Sequence, residues 1–174
     1  MYSVDAKDRV VTLKDVPQSS IGAPLPVVLA NEHSLFLAYY LEVSEPEWDG
    51  KAIRIVDHRT SEEPAAVIEF KNAYAHLFGP PNDEAFSGHP LASRGLRPYS
   101  SFVIENSSWI RSMERMNSVH PNHSPRMFAD YRHFVIAFHD STFECVAKGY
   151  SIEKSFGPLS RVLDIIKDRL GRLS

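Results

Sequence analysis

The clearest hydrophobic pattern in the chain alternates on either side of Asp140 and Ser141. The flanking segments, His133–His139 and Thr142–Tyr150, are rich in aromatic and β-branched residues, as strands are. A loop of two or four residues makes them a hairpin, with Phe138 opposite Phe143. Because the side chains of a strand alternate between its faces, one face is wholly apolar and is predicted to be core. Its residues are Phe134, Ile136, Phe138, Phe143, Cys145 and Ala147.

The other face of this hairpin mixes polar and apolar residues. It carries His133, Val135, Ala137 and His139 on one strand and Thr142, Glu144, Val146 and Lys148 on the other. We expect His139 to lie opposite Thr142 and diagonal to Glu144, at a separation of roughly 7–8 Å. This pattern predicts an open face with polar groups on a rigid strand pair.

Further strands are predicted before and after the middle of the chain, at Asp8–Lys14, Val27–Ala30, Ser34–Val43, Ala52–Val56, Ala65–Phe70 and Ser101–Glu105. Ser34–Val43 is apolar on both faces, which is typical of a central strand covered on both sides or of one that lines a pocket. Lys71–Phe78 fits either a strand or a helical turn.

Helices are predicted late in the sequence. Capping residues at 106–108 precede a short helix over Trp109–Met116, and Ser124–Pro125 begins another that runs to about Tyr131. A last helix follows Pro158, with the apolar stripe Leu159, Val162, Leu163, Ile166 and Leu170. This order predicts an α+β fold: a mainly antiparallel sheet, half-barrel or two-layer, with inserted short helices and a C-terminal helix packed on the sheet. The 174 residues fit a single domain, 1–174.

Gly79–Pro98 is the longest segment without a regular pattern. It holds four of the 12 prolines and three glycines, interspersed with apolar residues. Loops of this length inside a compact domain are often functional. We therefore predict that the deepest polar pocket is lined by this loop, by the loop His120–His123 and by the outer face of the hairpin. The alternative is that the loop protects a sheet edge.

Charge is unevenly distributed along the chain, whose net charge is −3. Residues 1–85 carry seven basic and 14 acidic side chains, whereas 86–133 carry six arginines and three acids. These arginines either pair with the acidic half or form an anion site, for which Arg94, Arg97 and Arg132, together with Thr142, are the ligand-binding candidates. The acidic balance argues against a nucleic-acid partner.

Histidines near the hairpin give two candidate sites. His120 and His123 have an HxxH spacing. Together with His139 and Glu144 they are candidate ligands of a divalent metal such as zinc. His89 and His133 are outer candidates for the same site. Without a metal, His139 and Glu144, with Asp140, are the candidates for acid–base catalysis.

No motif in the sequence identifies a reaction, so whether the protein is an enzyme stays open. The sequence lacks a signal-peptide pattern and a long apolar run, and its single cysteine fits a reducing compartment, so a soluble cytoplasmic protein is predicted. The interpretation favoured here is a module that binds a small ligand or a protein. The alternatives are a metal-dependent, hydrolase-like enzyme and a homodimer in which Ser34–Val43 pairs across the interface.

Overall fold

The computed structural model describes residues 2–43 and 55–172. These ranges contain the α-helices α1 (Ser108–Asn117) and α2 (Leu159–Arg172). The strands are β1 (Arg9–Thr12), β2 (Val27–Ala30), β3 (Leu35–Tyr40), β4 (Glu63–Lys71), β5 (Ala75–Gly79), β6 (Ser101–Glu105), β7 (Arg132–Ala137), β8 (Thr142–Ala147) and β9 (Gly149–Gly157). Single 3-10 turns occur at Phe86–Gly88, Ala92–Arg94 and Pro125–Phe128.

Two antiparallel sheets pack face to face. The first has the strand order β1-β6-β7-β8-β5 and the second the order β2-β3-β4-β9. Their shared core contains Leu35, Leu37, Tyr39, Ala66, Ile68 and Phe70 from the second sheet and the six predicted apolar residues of the hairpin from the first. The predicted α+β fold is therefore confirmed in its two-layer form, and the sheets do not close into a barrel.

Strand β3 lies in the middle of the second sheet, between β2 and β4. All six of its residues are buried, because one face contacts the core between the sheets and the other contacts α2. The predicted covered central strand is confirmed. For the same reason its apolar residues are not exposed for pairing across a homodimer, and a homodimer formed through another surface stays a prediction.

Helix α2 packs on the outer face of the second sheet through the predicted stripe. Leu159, Val162 and Ile166 are buried there, and Leu163 and Leu170 pack at the edge of the same cluster. The first turn is fixed to the sheet because the backbone N–H of Leu159 donates to the Tyr40 hydroxyl at 2.8 Å. The predicted C-terminal helix is confirmed.

The hairpin faces are as predicted, but its register is not. Ile136 lies opposite Phe143, and Val135 lies opposite Glu144. The loop has four residues, 138–141, and is closed by a 2.8 Å hydrogen bond from the Phe138 N–H to the Ser141 carbonyl. The two-residue displacement preserves both faces, since side chains alternate with a period of two. It leaves His139 in the loop, away from Thr142.

The outer face of the hairpin is buried, which corrects the prediction of an open face. Phe86, Leu91 and Leu96 from the 79–98 segment pack on it, in a cluster that includes Val135 and Ala137. Trp109 and Met113 of α1 and Phe128 form a second cluster with Val146. The prediction failed because the residues that cover this face come from remote parts of the sequence.

Other differences concern short elements. Ala75–Gly79 is an edge strand beside β8. The predicted strand Thr142–Tyr150 is divided between β8 and β9, and β9 continues to Gly157 and pairs along the whole of β4. The helix predicted from Pro125 is a single 3-10 turn. The predicted strand Ala52–Val56 lies for the most part outside the described residues. None of the described helices is both long and apolar enough to cross a membrane.

Candidate functional site

Glu144 is a buried carboxylate in the middle of the covered hairpin face, with 4% of its surface exposed. Its Oε2 accepts a hydrogen bond from the Tyr2 hydroxyl at 2.5 Å and lies 2.8 Å from Nε2 of His133. Its Oε1 lies 3.2 Å from Nε2 of His89. Burying a charge without such partners is very costly, so the three donors account for how this carboxylate is accommodated.

The partners of Glu144 come from three separate segments. His133 lies on β7, diagonal to Glu144 across the strand pair. His89 follows the first 3-10 turn of the 79–98 segment, and Tyr2 comes from the N-terminal segment that leads into β1. The carboxylate therefore fastens two irregular segments to the first sheet.

The hydrogen-bond pattern assigns protons to the two imidazoles. Nδ1 of His89 accepts from the backbone N–H of Leu91 at 3.1 Å, so its proton is on Nε2, which donates to Glu144. Nδ1 of His133 lies 2.9 Å from Oγ of Ser107. That hydroxyl already accepts from the N–H of Ile110 at 3.3 Å, so its own hydrogen is available to donate to His133. Nε2–H of His133 then donates to Glu144.

The charge state of Glu144 follows from its surroundings. Burial raises the pKa of its carboxyl, but the hydrogen bonds from His133, His89 and Tyr2 outweigh it and bring the pKa to about 2. For Tyr2, burial and the adjacent carboxylate both raise the pKa of the phenol far above its usual range. Glu144 is thus ionised and Tyr2 protonated at neutral pH.

Aromatic rings close this polar cluster from the side of α1. The Tyr2 ring stacks on Trp109 with centroids 5.1 Å apart and an interplanar angle of 6°. The His133 ring meets both of them edge-on, at 84° and 78°. The indole of Trp109 is placed by α1, whose N-cap is Ser107.

The strand-to-helix turn after β6 positions Ser107. Asn106 has a positive φ of 53°, a conformation that asparagine adopts more readily than most residues, and Ser107 follows as the N-cap of α1. The serine side chain is thereby placed between the helix terminus and His133. Asp8 binds the same turn, since its Oδ1 accepts from the N–H of Ser108 at 2.6 Å.

A cleft of about 720 Å³ opens beside this turn. It lies between the end of β6, the start of α1 and the segment that enters β7. Its lining residues are Lys7, Val103, Ile104, Glu105, Asn106, Ser107, Ile110, Arg111, Ala129, Tyr131 and Arg132. Ser107 therefore joins the cleft to the buried cluster of His133 and Glu144.

Positive charge dominates the cleft. Glu105 pairs with Arg9, and Arg111 pairs with Asp5 at 2.6 Å. Among the described residues, Lys7 and Arg132 have no carboxylate within 4.0 Å, so their charges are available to a ligand.

A second polar cluster lies at the hairpin loop. Nδ1 of His139 is 3.0 Å from Oδ2 of Asp83, and the Tyr99 hydroxyl donates to the same oxygen. The hydrogen bond from Tyr99 lowers the pKa of Asp83, and that interaction raises the pKa of Tyr99 to about 12. Tyr99 has a positive φ of 55°, an unfavourable conformation for a bulky residue. The carbonyl of His139 also accepts from the Asp83 N–H at 2.9 Å, so the cluster joins two loops.

The predicted metal ligands are not assembled into one site. His123 lies beside α1, with Nε2 2.7 Å from Glu114, and His120 Nδ1 accepts from the N–H of Asn122. His139 contacts Asp83, while Glu144 is buried in its own cluster. Within residues 2–43 and 55–172, no group of three or more histidine, cysteine, aspartate or glutamate side chains is arranged to hold a metal ion.

The predicted acid–base pair of His139 and Glu144 is not formed either. The four-residue loop carries His139 beyond the paired part of β7, and its place near Glu144 is taken by His133. Asp140 is 3.8 Å from Nε2 of His139, but its side chain is 85% exposed.

The ligand-binding candidates are dispersed. Arg132 lines the cleft. Arg94 instead donates to the backbone carbonyls of Asp5 and Asp8 and holds the N-terminal segment. Thr142 donates to the Pro81 carbonyl at 2.8 Å, and Arg97 lies exposed in the covering loop.

Of the cavities formed by the described residues, the two of about 720 and 430 Å³ do not lie at the predicted place. The 79–98 segment does lie against the outer face of the hairpin, but its apolar side chains fill the space there. The larger described cavities, of about 720 and 430 Å³, are lined by neither this segment nor the loop His120–His123, and the smaller one borders Tyr99.

The sequence patterns did not predict four residues of the polar clusters around Glu144 and His139, namely Tyr2, Ser107, Asp83 and Tyr99. Ser107 was recognised only as a capping residue. Its second contact depends on how β6 pairs with β7, which local patterns do not reveal.

Comparisons with models of known protein families, with curated proteins and with solved structures find no match.

Proposed function

We propose that the protein binds a small organic anion in the cleft beside Ser107. The observation that carries this proposal is the side chain of Arg132 in the wall of the cleft of about 720 Å³, where none of the described carboxylates pairs with it. A guanidinium binds a carboxylate or a phosphate through two parallel hydrogen bonds, and within residues 2–43 and 55–172 no carboxylate lies within 4.0 Å of Arg132 to compete for it.

The size of the cleft supports a small ligand. Pockets for small molecules typically span about 300–1,000 Å³, and the volume of about 720 Å³ lies within that range. A macromolecular interface instead buries a broad surface of about 800 Å² on each partner. A cleft of this volume therefore favours the small-ligand alternative over the protein-binding one.

The lining combines charge with apolar surface. Lys7 and Arg132 supply positive charge, while Val103, Ile110 and Tyr131 supply apolar and aromatic contacts. A ligand with one anionic end and a short hydrocarbon or aromatic body matches this lining. Examples of that chemistry are dicarboxylates and aryl phosphates.

Isothermal titration calorimetry with glutarate and with phenyl phosphate tests the proposal. We expect saturable binding of at least one of them, and we expect Arg132→Gln to weaken it roughly tenfold or more, since a charge-assisted contact contributes about 1.5–3 kcal/mol. Arg161→Gln is the matched control, because Arg161 is an exposed arginine on α2 and is not among the cleft residues. Equal affinities for both variants and the wild type would refute the anion site.

A cytoplasmic location belongs to the same proposal. The one cysteine, Cys145, is buried and unpaired between the sheets, and burial raises the pKa of its thiol. Such a cysteine behaves as a small core residue, which is compatible with a reducing compartment.

A further inference from the structure

We propose that Ser107 is a nucleophile and that the cleft hydrolyses esters of small organic anions. Three connected contacts carry this inference: Ser107 lines the cleft, its Oγ lies 2.9 Å from Nδ1 of His133, and Nε2 of the same imidazole lies 2.8 Å from Glu144. The substrate class rests on the proposed anion site, whereas the reactivity of Ser107 does not.

The three residues have the roles of a serine, a base and an orienting carboxylate. In a catalytic triad, an imidazole takes the proton of the serine hydroxyl, and a buried carboxylate fixes the tautomer of that imidazole from the other ring nitrogen. Here the nitrogens are exchanged, because the serine contacts Nδ1 and the carboxylate contacts Nε2. The exchange leaves the chemistry unchanged, since either nitrogen can accept the proton while the other carries one.

Helix capping alone does not account for the contact between Ser107 and His133. An N-cap needs only an oxygen that accepts from a backbone N–H, and Ile110 supplies that N–H. The hydroxyl hydrogen of Ser107 can therefore bond to Nδ1 of His133. The imidazole of His133 is fully buried, and its other nitrogen, Nε2, contacts the carboxylate of Glu144. This is the proton arrangement that activates a serine.

Ser107 lies at a tight turn between a strand and a helix, directly after Asn106 with its φ of 53°. A strand-to-helix turn also carries the nucleophile of α/β-hydrolases, although there the serine itself lies on the strained turn. Ser107 has a φ of −52°, and 3% of its surface is exposed. The fold here is different, so the likeness concerns the turn alone.

The reaction proceeds in two balanced steps. Oγ of Ser107 bonds to the carbonyl carbon of the ester while its proton moves to Nδ1 of His133, and the carbon–oxygen bond to the alcohol then breaks as the alcohol takes that proton. Water next attacks the acyl-serine, and Nδ1 takes a proton from the water. The acid leaves and the proton returns to Oγ, while Glu144 stays ionised and retains its hydrogen bond from Nε2–H.

Labelling of the full-length protein with a fluorophosphonate tests the nucleophile. Attack by Oγ on phosphorus releases fluoride and leaves a stable adduct, which intact-mass measurement and peptide mapping locate. We expect one adduct, on Ser107 of the wild type, and none on Ser107→Ala. Ser108→Ala is the matched control, since Ser108 is a neighbouring buried serine whose hydroxyl has no hydrogen-bond partner among the described residues, and it should be labelled like the wild type. An unlabelled wild type, or an adduct on another residue, would overturn the inference.

The orienting role of Glu144 has its own test. Glu144→Gln keeps the size of the side chain but removes the charge, and we expect labelling to slow by roughly 100-fold or more, by analogy with loss of the triad carboxylate. Labelling at the wild-type rate would contradict the role. Because this variant could fail to fold, near-ultraviolet circular dichroism is recorded alongside, and adduct mapping on the wild type decides the nucleophile without any variant.

Hydrolysis of two 4-nitrophenyl esters tests the substrate class. The hemiglutarate, which carries a carboxylate, should be cleaved at least tenfold more efficiently than the uncharged butyrate, and Arg132→Gln should remove that preference. If the two esters are cleaved at equal rates and the fluorophosphonate still labels Ser107, the anion site is refuted but the nucleophile is not. Binding of glutarate without any labelling would refute the nucleophile but not the anion site.

Discussion

His133 Nε2 lies 2.8 Å from the carboxylate of Glu144, although the residue of β7 directly opposite Glu144 is Val135. The contact is a diagonal one across the hairpin, within reach of two long side chains. It joins the strand pair to Ser107 on one side and, through Glu144, to His89 and Tyr2 on the other. The buried cluster therefore has a structural role as well as the proposed chemical one.

The structural role predicts a specific acid sensitivity. The pKa of Glu144 is about 2 in the folded protein, compared with an ordinary value of 4.5, so the folded state gains stability from the ionised carboxylate above pH 4.5. That stability is lost as the pH falls from 4.5 toward 2, and its full size is on the order of 3 kcal/mol. Urea unfolding at pH 6 and pH 3 measures the loss.

Glu144→Gln should reduce this pH dependence, because the variant has no carboxyl group to titrate at this position. Glu84→Gln, at an exposed position, is the control and should retain the wild-type difference between the two pH values. If Glu144→Gln and the wild type lose stability in parallel, the carboxylate is not the acid-sensitive group.

The hydroxyl of Tyr2 should matter more than that of a surface tyrosine. Tyr2→Phe leaves a buried carboxylate with one donor fewer, which costs about 1–3 kcal/mol. Tyr150 also donates to a carboxylate, Asp15 at 2.8 Å, but that pair is exposed to solvent, so Tyr150→Phe should cost less than about 1 kcal/mol. Chemical denaturation of both variants gives the comparison, and equal losses would contradict the importance of the buried contact.

The 79–98 segment should contribute to stability as a packed cover. Leu91 is fully buried in the cluster over the first sheet, so Leu91→Ala should destabilise the protein by about 2–5 kcal/mol. Leu77 on the edge strand β5 is 40% exposed, and Leu77→Ala should cost much less. A small effect of Leu91→Ala in thermal unfolding would mean that the segment does not pack as described.

The elements of the fold could be predicted where sequence periodicity is strong. The alternation of the hairpin gave its core face, and the stripe from Leu159 to Leu170 gave the C-terminal helix. Strand β9 was missed because its polar residues, among them Glu153 and Lys154, stand on exposed positions of an edge strand, and this composition resembles that of a linker.

The candidate site could be predicted only in fragments. The sequence indicated Glu144 and Arg132, but it paired Glu144 with His139, because the turn of the hairpin was centred one residue too far along the chain. It could not show that Tyr2 and His89 reach the same carboxylate, since their separations along the chain are 142 and 55 residues. Local patterns carry no information about contacts of that length, which depend on the pairing of whole strands.

A crystal structure of the protein soaked with phenyl phosphate tests the anion site at the level of atoms. We expect a phosphate group within hydrogen-bonding distance of the Arg132 guanidinium, with the phenyl ring against the apolar wall of the cleft beside Ser107. An empty cleft at saturating phenyl phosphate, or a ligand bound only at another position, would contradict it.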